Sequence, residues 1–373
     1  MANKFTISTN IIRDTHREMN YIPTPNTVLI ADQLSKDFKK GLRSFNIIGS
    51  YGTGKSSFLW ALEQSLKGNH AYFGLDLVRN PKATFIKIVG KYQSIKQALA
   101  DELNIEVDKN LTENILVELF SVYHGLGKRN PLLVIEIDEF GKFLEYASQH
   151  EPENELYFIQ QLAEFVNNPD YNILLLTTVH QNFDAYALNL KDEQKTEWTK
   201  IKGRFKEIPF NEPVEQLLYL AAEHLNEELP TARSSNEIDK LVKLLISSKT
   251  FNVNNDYIKS ISKKIYPLDI FSAYVITISL QKYGQNERSL FSFLESTDHT
   301  SLYQHEILNK GLYTIADVYD YLIYNFFSTI NSKVNIDFSA WKSIKTSLET
   351  VEASFISNLS EYFKIIKTIG LLS

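Results

Sequence analysis

No cysteine occurs in the 373 residues, which excludes disulfides and thiolate zinc centres and fits a reducing compartment. Nor is there a run of the roughly 18 apolar residues that a membrane span requires. The opening stretch, MANKFTISTNIIRD, lacks the apolar core and small-residue cleavage site of a secretory signal. These absences read together as a soluble, cytoplasmic protein with no membrane partner. An excess of positive charge is missing as well: 39 Lys and Arg stand against 45 Asp and Glu, for a net charge of −6. No global field holds nucleic acid by phosphate neutralisation, so nucleic-acid binding, if it occurs, is local.

Several chemistries are unsupported. No H-E-x-x-H pair and no G-x-S-x-G elbow are present, which leaves metalloprotease and serine-hydrolase readings without residues. No repeat with a period of about 20 to 50 residues and no low-complexity tract appear. What is there is ordinary globular composition, 43% hydrophobic and 23% charged, so the chain is expected to fold throughout. Its length exceeds one comfortable core, and two or three packed units are expected.

Along the chain, NTVLIADQLSKDFKK at 26 to 40 has helical spacing behind an Asn/Thr cap. SFNIIGS reads as a short buried strand, and SSFLWALEQSLKG as a helix with Phe58, Leu59, Leu62 and Leu66 on one face and Gly68 at its end. Further strands are expected at ATFIKIVG (83 to 90), PLLVIEID (131 to 138), YNILLLTT (171 to 178) and FKEIPF (205 to 210), with helices near 93 to 103, 112 to 124 and 153 to 167. Nearly continuous apolar strands alternating with helices predict an α/β unit with a five-stranded parallel sheet covered on both faces. Beyond residue 213 strand-like runs disappear and helices follow one another. The predicted division is an N-terminal linker (1 to 25), a core (26 to 212), a helical lid (213 to 297) and a C-terminal helical region (298 to 373). That last region ends in EYFKIIKTIGLLS, apolar almost to the terminus, and is expected to open a further domain.

Gly49, Gly54, Lys55 and Ser56 satisfy the P-loop pattern G-x-x-x-x-G-K-[ST] between a strand and a helix, so the expected sheet is of the P-loop NTPase type. Glycines let such a loop curl until backbone N–H groups face phosphates, and the following helix adds its positive end. Gly49, Ser50, Tyr51, Gly52, Thr53, Gly54, Lys55, Ser56 and Ser57 are therefore the expected phosphate-binding residues for ATP. Lys55 carries charge to the β- and γ-phosphates and Ser56 ligates Mg2+. A strand ending in two acids supplies the rest: Asp138 holds the magnesium, and Glu139 polarises the attacking water. Glu136, on the same face as Asp138, is expected in a structural ion pair. Glu151, Glu153 and Glu155 read as a solvated loop. No [NT]-K-x-D triplet supports guanine specificity, and no LSGGQ-like signature supports a transport-type ATPase.

From about residue 20 to residue 297 the chain resembles an AAA+ ATPase. The resemblance implies a γ-phosphate sensor at Thr178, with Thr177 the neighbouring candidate; a plain strand-end role for both remains open. It implies that Arg204, in the GRF triplet of KIKGRFKEIPF, reaches the ATP of a neighbouring subunit in a ring or filament, the alternative being a solvated run with Lys200, Lys202 and Lys206. Arg288 of GQNERSLFSFL corresponds to a second sensor arginine in the lid. Tyr21, Ile22 and Pro23 stand where such chains place the adenine-contacting linker, and a hydrophobic staple explains them equally. TTVHQNF lengthens the sensor region, so His180, Gln181 and Asn182 either share that role or cap a loop. In overall texture the stretches TTVHQNFDAYA, GRFKEIPFNEP and YPLDIFSAYVITISLQKYGQNERSLF also resemble the large AAA ATPases of bacterial phage-resistance systems such as bacteriophage exclusion. The functions implied are ATP-driven remodelling or translocation of nucleic acid or protein by a homo-oligomer, or an ATP-dependent switch controlling a partner effector such as a nuclease.

Overall fold

The computed structural model describes residues 9–17, 19, 21–79, 82–127, 130–187, 190–210, 214–225, 235–248, 255–284, 287–307 and 311–373. They form two compact units, one of the residues up to 210 and one of those from 214 onward. The first holds a sheet of β1 (Ser44–Ile48), β2 (Lys82–Val89), β3 (Pro131–Asp138), β4 (Ile173–Val179) and β5 (Lys206–Pro209). All pairings are parallel and the order is β2-β3-β4-β1-β5. The strands lie where the apolar runs predict them.

Period-two alternation divides the core between the two faces of the sheet. On β3, Leu133, Ile135 and Ile137 join a cluster with α3 (Ile95–Leu103), α4 (Leu111–Gly125), α5 (Gly141–Gln149) and α6 (Pro152–Val166). Leu132 and Val134 point the other way, joining Leu174 and Leu176 against α1 (Pro25–Lys39) and α2 (Lys55–Lys67). Asp138 and Glu136 share that second face, which is how the acids come to look toward the helix that follows the P-loop. The α1 helix begins where Thr24 accepts a hydrogen bond from the Thr27 amide ahead of Pro25, and α2 ends on Gly68 at φ 74°. Residues 9–17 also belong to this packing: Ile11 is fully buried, and the Trp60 indole donates to the Asp14 carbonyl at 3.2 Å.

Three short connections complete the unit: α5 itself, α7 (Phe183–Tyr186) and α8 (Asp192–Lys202). Glu151, Glu153 and Glu155, expected in a solvated loop, instead begin α6. Glu151 is its N-cap, and Glu155 is buried, accepting from the Ser94 hydroxyl at 2.6 Å. A loop reading failed because a helix start draws acids to its first turn.

The second unit is helical among its described residues, from α9 (Val214–Leu225) through α10 (Ser235–Ser248), α11 (Asn255–Ile261), α12 (Ile270–Tyr283), α13 (Glu287–Glu295), α14 (Leu302–Ile307), α15 (Ile315–Ile330) and α16 (Phe338–Ser354) to α17 (Leu359–Leu372). Its axis is α12, apolar around its whole circumference, with α9, α10, α13 and α15 packed on it. Asp269 caps that helix, accepting from the amides of Phe271 and Ser272. No helix of the described residues is long and apolar enough to cross a membrane.

Candidate nucleotide site

The P-loop leaves β1 under tight steric control. A Cβ on Gly49 would lie 2.2 Å from the Phe210 carbonyl oxygen, so only glycine lets the chain pass there. Gly52 and Gly54 adopt φ of 72° and 81°, the left-handed region that closes the curl. Inside it the Thr53 hydroxyl donates to the Ser50 carbonyl at 2.9 Å. The buried Lys55 ammonium folds back on the loop, donating to the carbonyls of Gly49 at 2.5 Å and Ser50 at 2.8 Å. Those bonds hold the charge inside the concavity of the loop.

Sheet order brings the other parts in. Because β4 lies between β1 and β3, the end of β4 is flanked by the P-loop on one side and by the acids on the other. Asp138 accepts from the Thr178 hydroxyl at 2.6 Å and from the Ser56 hydroxyl at 2.7 Å. Burial pushes the Asp138 carboxyl up, and the two hydroxyls pull it back toward the ionised form. A hydroxyl and a carboxylate within one hydrogen bond form a hard-oxygen donor set, which suits magnesium.

Glu139 is oriented through its backbone. Its amide donates to the Asp138 carboxylate at 3.1 Å and to the Thr178 hydroxyl at 2.9 Å, and its φ is 54°. A Cβ on Gly90, at the end of β2, would lie 2.0 Å from the Glu139 carbonyl oxygen. Gly90 therefore holds the acid turn in place, a role no local pattern announces. The Glu139 side chain pairs with Lys142, in the first turn of α5, and that contact raises the lysine's pKa.

Thr178 has no exposure, with its hydroxyl engaged both as donor and as acceptor. Thr177 donates to Asn46 at 2.9 Å in the sheet interior, away from the acids. Two residues past Thr178, His180 stacks on Tyr51 with ring centroids 3.4 Å apart and planes inclined by 23°. Asn182 caps α7, accepting from the Ala185 amide at 3.0 Å. Arg204 lies in the turn between α8 and β5, where its Nε donates to Glu164 of α6 at 2.8 Å and its NH1 to the Lys200 carbonyl at 2.7 Å. Tyr21, Ile22 and Pro23 are half-buried ahead of α1, Tyr21 packing edge-on against Tyr72 and Phe73. The N-terminal residue that meets the start of α2 is Thr9, its hydroxyl 2.8 Å from that of Ser57. Arg288 is in the first turn of α13, and its side chain lies outside the described residues.

Glu136 departs from the ion pair expected of it. It is fully buried, and among the described residues neither carboxyl oxygen has a hydrogen-bond partner. Lys87, beside it in register on β2, directs its ammonium elsewhere: to both oxygens of Glu63 at 3.1 Å, to the Ile11 carbonyl at 2.8 Å and to the Thr15 hydroxyl at 2.5 Å. Burial, reinforced by the Glu63 charge, pushes the Glu136 carboxyl well up. Glu136→Met is therefore expected to stabilise the fold by about 1–2 kcal/mol in urea denaturation, since an unsatisfied buried group is removed. A loss of similar size would mean that the carboxyl is ion-paired after all.

No family model matches the sequence, and no curated protein does. Among solved structures the chain is similar to the Aeropyrum pernix ORC2 protein in its ADPNP–ADP complexes, at 13% identity, over 96% of this chain and 89% of that one, with a TM-score of 0.37. It is similar to a DNA replication initiation factor at 11% identity, over 94% of this chain and 96% of that one, with a TM-score of 0.36. It is also similar to domain III of the Thermotoga maritima replication initiation protein DnaA at 12% identity, over 69% of this chain and all but 1% of that one, the coverage there being 99% and the TM-score 0.33.

Proposed function

We propose that the chain is an ATP hydrolase of the AAA+ type, which in a homo-oligomer couples ATP binding and hydrolysis to remodelling or translocation of nucleic acid or protein. The observation that carries this reading is the single carboxylate of Asp138 held between the hydroxyls of Ser56 and Thr178. It joins the start of the P-loop helix and the end of the acidic strand in one site. When bound, Mg2+ would neutralise charge on the β- and γ-phosphates. Around it the chain's own residues divide the work: the loop amides and Lys55 orient the phosphates, Glu139 takes the proton of the attacking water, and Arg204 is offered to a neighbour's nucleotide. The sequence resemblance supports Arg288 as a second sensor and Ile22 and Pro23 as contacts for adenine. A place in antiphage defence, in the cytoplasm, rests on the same resemblance.

The decisive experiment is Mg-ATP binding and turnover by the purified chain and by Lys55→Ala. Removing a charge that makes charge-assisted bonds to phosphate is expected to weaken ATP binding about 100-fold in calorimetry and to abolish turnover with it. Unchanged affinity would sink the site assignment. The net charge of −6 favours, as a second reading, a switch whose ATP state controls an effector protein. Strong stimulation of turnover by DNA or RNA with a steep salt dependence would count against that switch.

A further inference from the structure

Given an ATP site at the P-loop, we infer that His180, rather than Thr178, is the residue that contacts the γ-phosphate and distinguishes ATP from ADP, with Tyr51 fixing the plane of its imidazole. Thr178 is committed elsewhere. Its one proton goes to Asp138 at 2.6 Å, its oxygen receives the Glu139 amide at 2.9 Å, and it has no exposure. A hydroxyl in that state positions the two acids and has nothing left for a phosphate oxygen. Two positions further on, in the bend just past the end of β4, stands His180.

His180 has the capacity that Thr178 lacks. Its side-chain nitrogens are buried, and among the described residues neither has a hydrogen-bond partner. The charges that act on it are those of Lys55 in the P-loop and of the Glu139–Lys142 ion pair. One ring face is covered by Tyr51, a residue itself 59% exposed, so the stack shields that face of the imidazole and leaves the nitrogen-bearing edge to a ligand. A buried, unpartnered polar edge in such a place is costly unless a ligand satisfies it. Burial and the nearby Lys55 lower the His180 pKa to about 4, so the ring is neutral near pH 7 and offers one N–H donor, suited to an oxygen of the terminal phosphate. A diphosphate lacks the terminal phosphoryl group, which makes the contact a readout of nucleotide state.

The test compares wild type, His180→Ala and His180→Gln for Mg-ATP and Mg-ADP affinity by calorimetry, each in the Glu139→Gln background to prevent turnover. His180→Ala is expected to weaken ATP about tenfold while leaving ADP within twofold, and His180→Gln, which keeps a donor, to recover part of the loss. In parallel, the imidazole resonances of ¹⁵N-histidine-labelled protein, with that of His180 assigned by its absence from the Gln variant, are followed during titration with Mg-ATP and Mg-ADP. The His180 signal should move with the triphosphate and stay with the diphosphate. Equal weakening of both nucleotides, or an unchanged ATP-to-ADP ratio, would reduce His180 to a packing partner of Tyr51 and overturn the inference while leaving the ATP site intact. If wild type binds neither nucleotide, the ATPase reading fails and takes this inference with it. Should the Ala variant not fold, the titration on protein carrying His180 still decides.

Discussion

Replacing Arg204 by Ala should leave ATP affinity within about threefold of wild type and lower turnover about 1,000-fold at protein concentrations where assembly is saturated, because an arginine supplied to a transition state acts on charge that develops only there. The geometry fits a residue held ready rather than one that builds its own subunit's site. Its guanidinium is docked on Glu164 and the Lys200 carbonyl on the outer side of α6 and α8, apart from the P-loop residues described above. The ion pair itself is partly exposed, so its loss should change stability by less than about 1 kcal/mol. Arg204→Lys should not restore turnover, since an ammonium lacks the planar fork. The sharpest check is mixing. Subunits carrying Arg204→Ala keep an intact P-loop, and subunits carrying Glu139→Gln keep an intact arginine, so the mixture should regain activity that neither has alone. Turnover unchanged in Arg204→Ala, or a mixture no more active than its components, would rule out a site shared between subunits.

Glu139→Gln should bind Mg-ATP as tightly as wild type and hydrolyse it about 1,000-fold more slowly, the contribution expected of a positioned general base. The substitution is nearly isosteric, and the features that orient this residue do not depend on its carboxylate. They are the amide bonds to Asp138 and Thr178, the backbone at φ 54° and the close backing of Gly90. The phenotype should therefore lie in the chemical step alone, visible as a slow single-turnover rate with unchanged calorimetric affinity. Ordinary hydrolysis by this variant would show that another group takes the proton.

Much of the architecture could be read from the chain because its signals are local. Four of the five strands are short apolar runs bounded by turns, the phosphate loop is a contiguous pattern, and the acid pair ends a strand too apolar to be exposed. What could not be read depends on partners distant in sequence. Glu136 carries no mark that Lys87, its neighbour in register, would turn instead to Glu63 and to the N-terminal segment. Glu155 looks like one more acid in a polar stretch until Ser94, 61 residues earlier, is brought against it. Gly90 closes an ordinary strand, and only the approach of the Glu139 carbonyl makes its missing Cβ necessary. The stack of Tyr51 on His180 joins a variable loop position to the residue just past β4, a pairing that follows from sheet order rather than from periodicity. The engaged state of Thr178 was equally invisible, since a threonine at a strand end presents the same pattern whether its hydroxyl is free or occupied.

The packing beyond β4 gives the molecule a line of communication. From His180 the chain enters α7, where Phe183 is fully buried against Phe140, the residue that follows Glu139, and against Phe205, the residue that follows Arg204. The Trp198 indole of α8 donates to the Phe183 carbonyl at 3.1 Å inside the same cluster. One aromatic knot thus ties the turn that holds Glu139 to the turn that carries Arg204. A closely packed contact of this kind transmits a displacement instead of absorbing it. In a homo-oligomer of the kind proposed above, a shift of the turn at Glu139 would be felt through Phe140, Phe183 and Phe205 at Arg204, so that the proposed site of one subunit and the arginine offered to the next would move together.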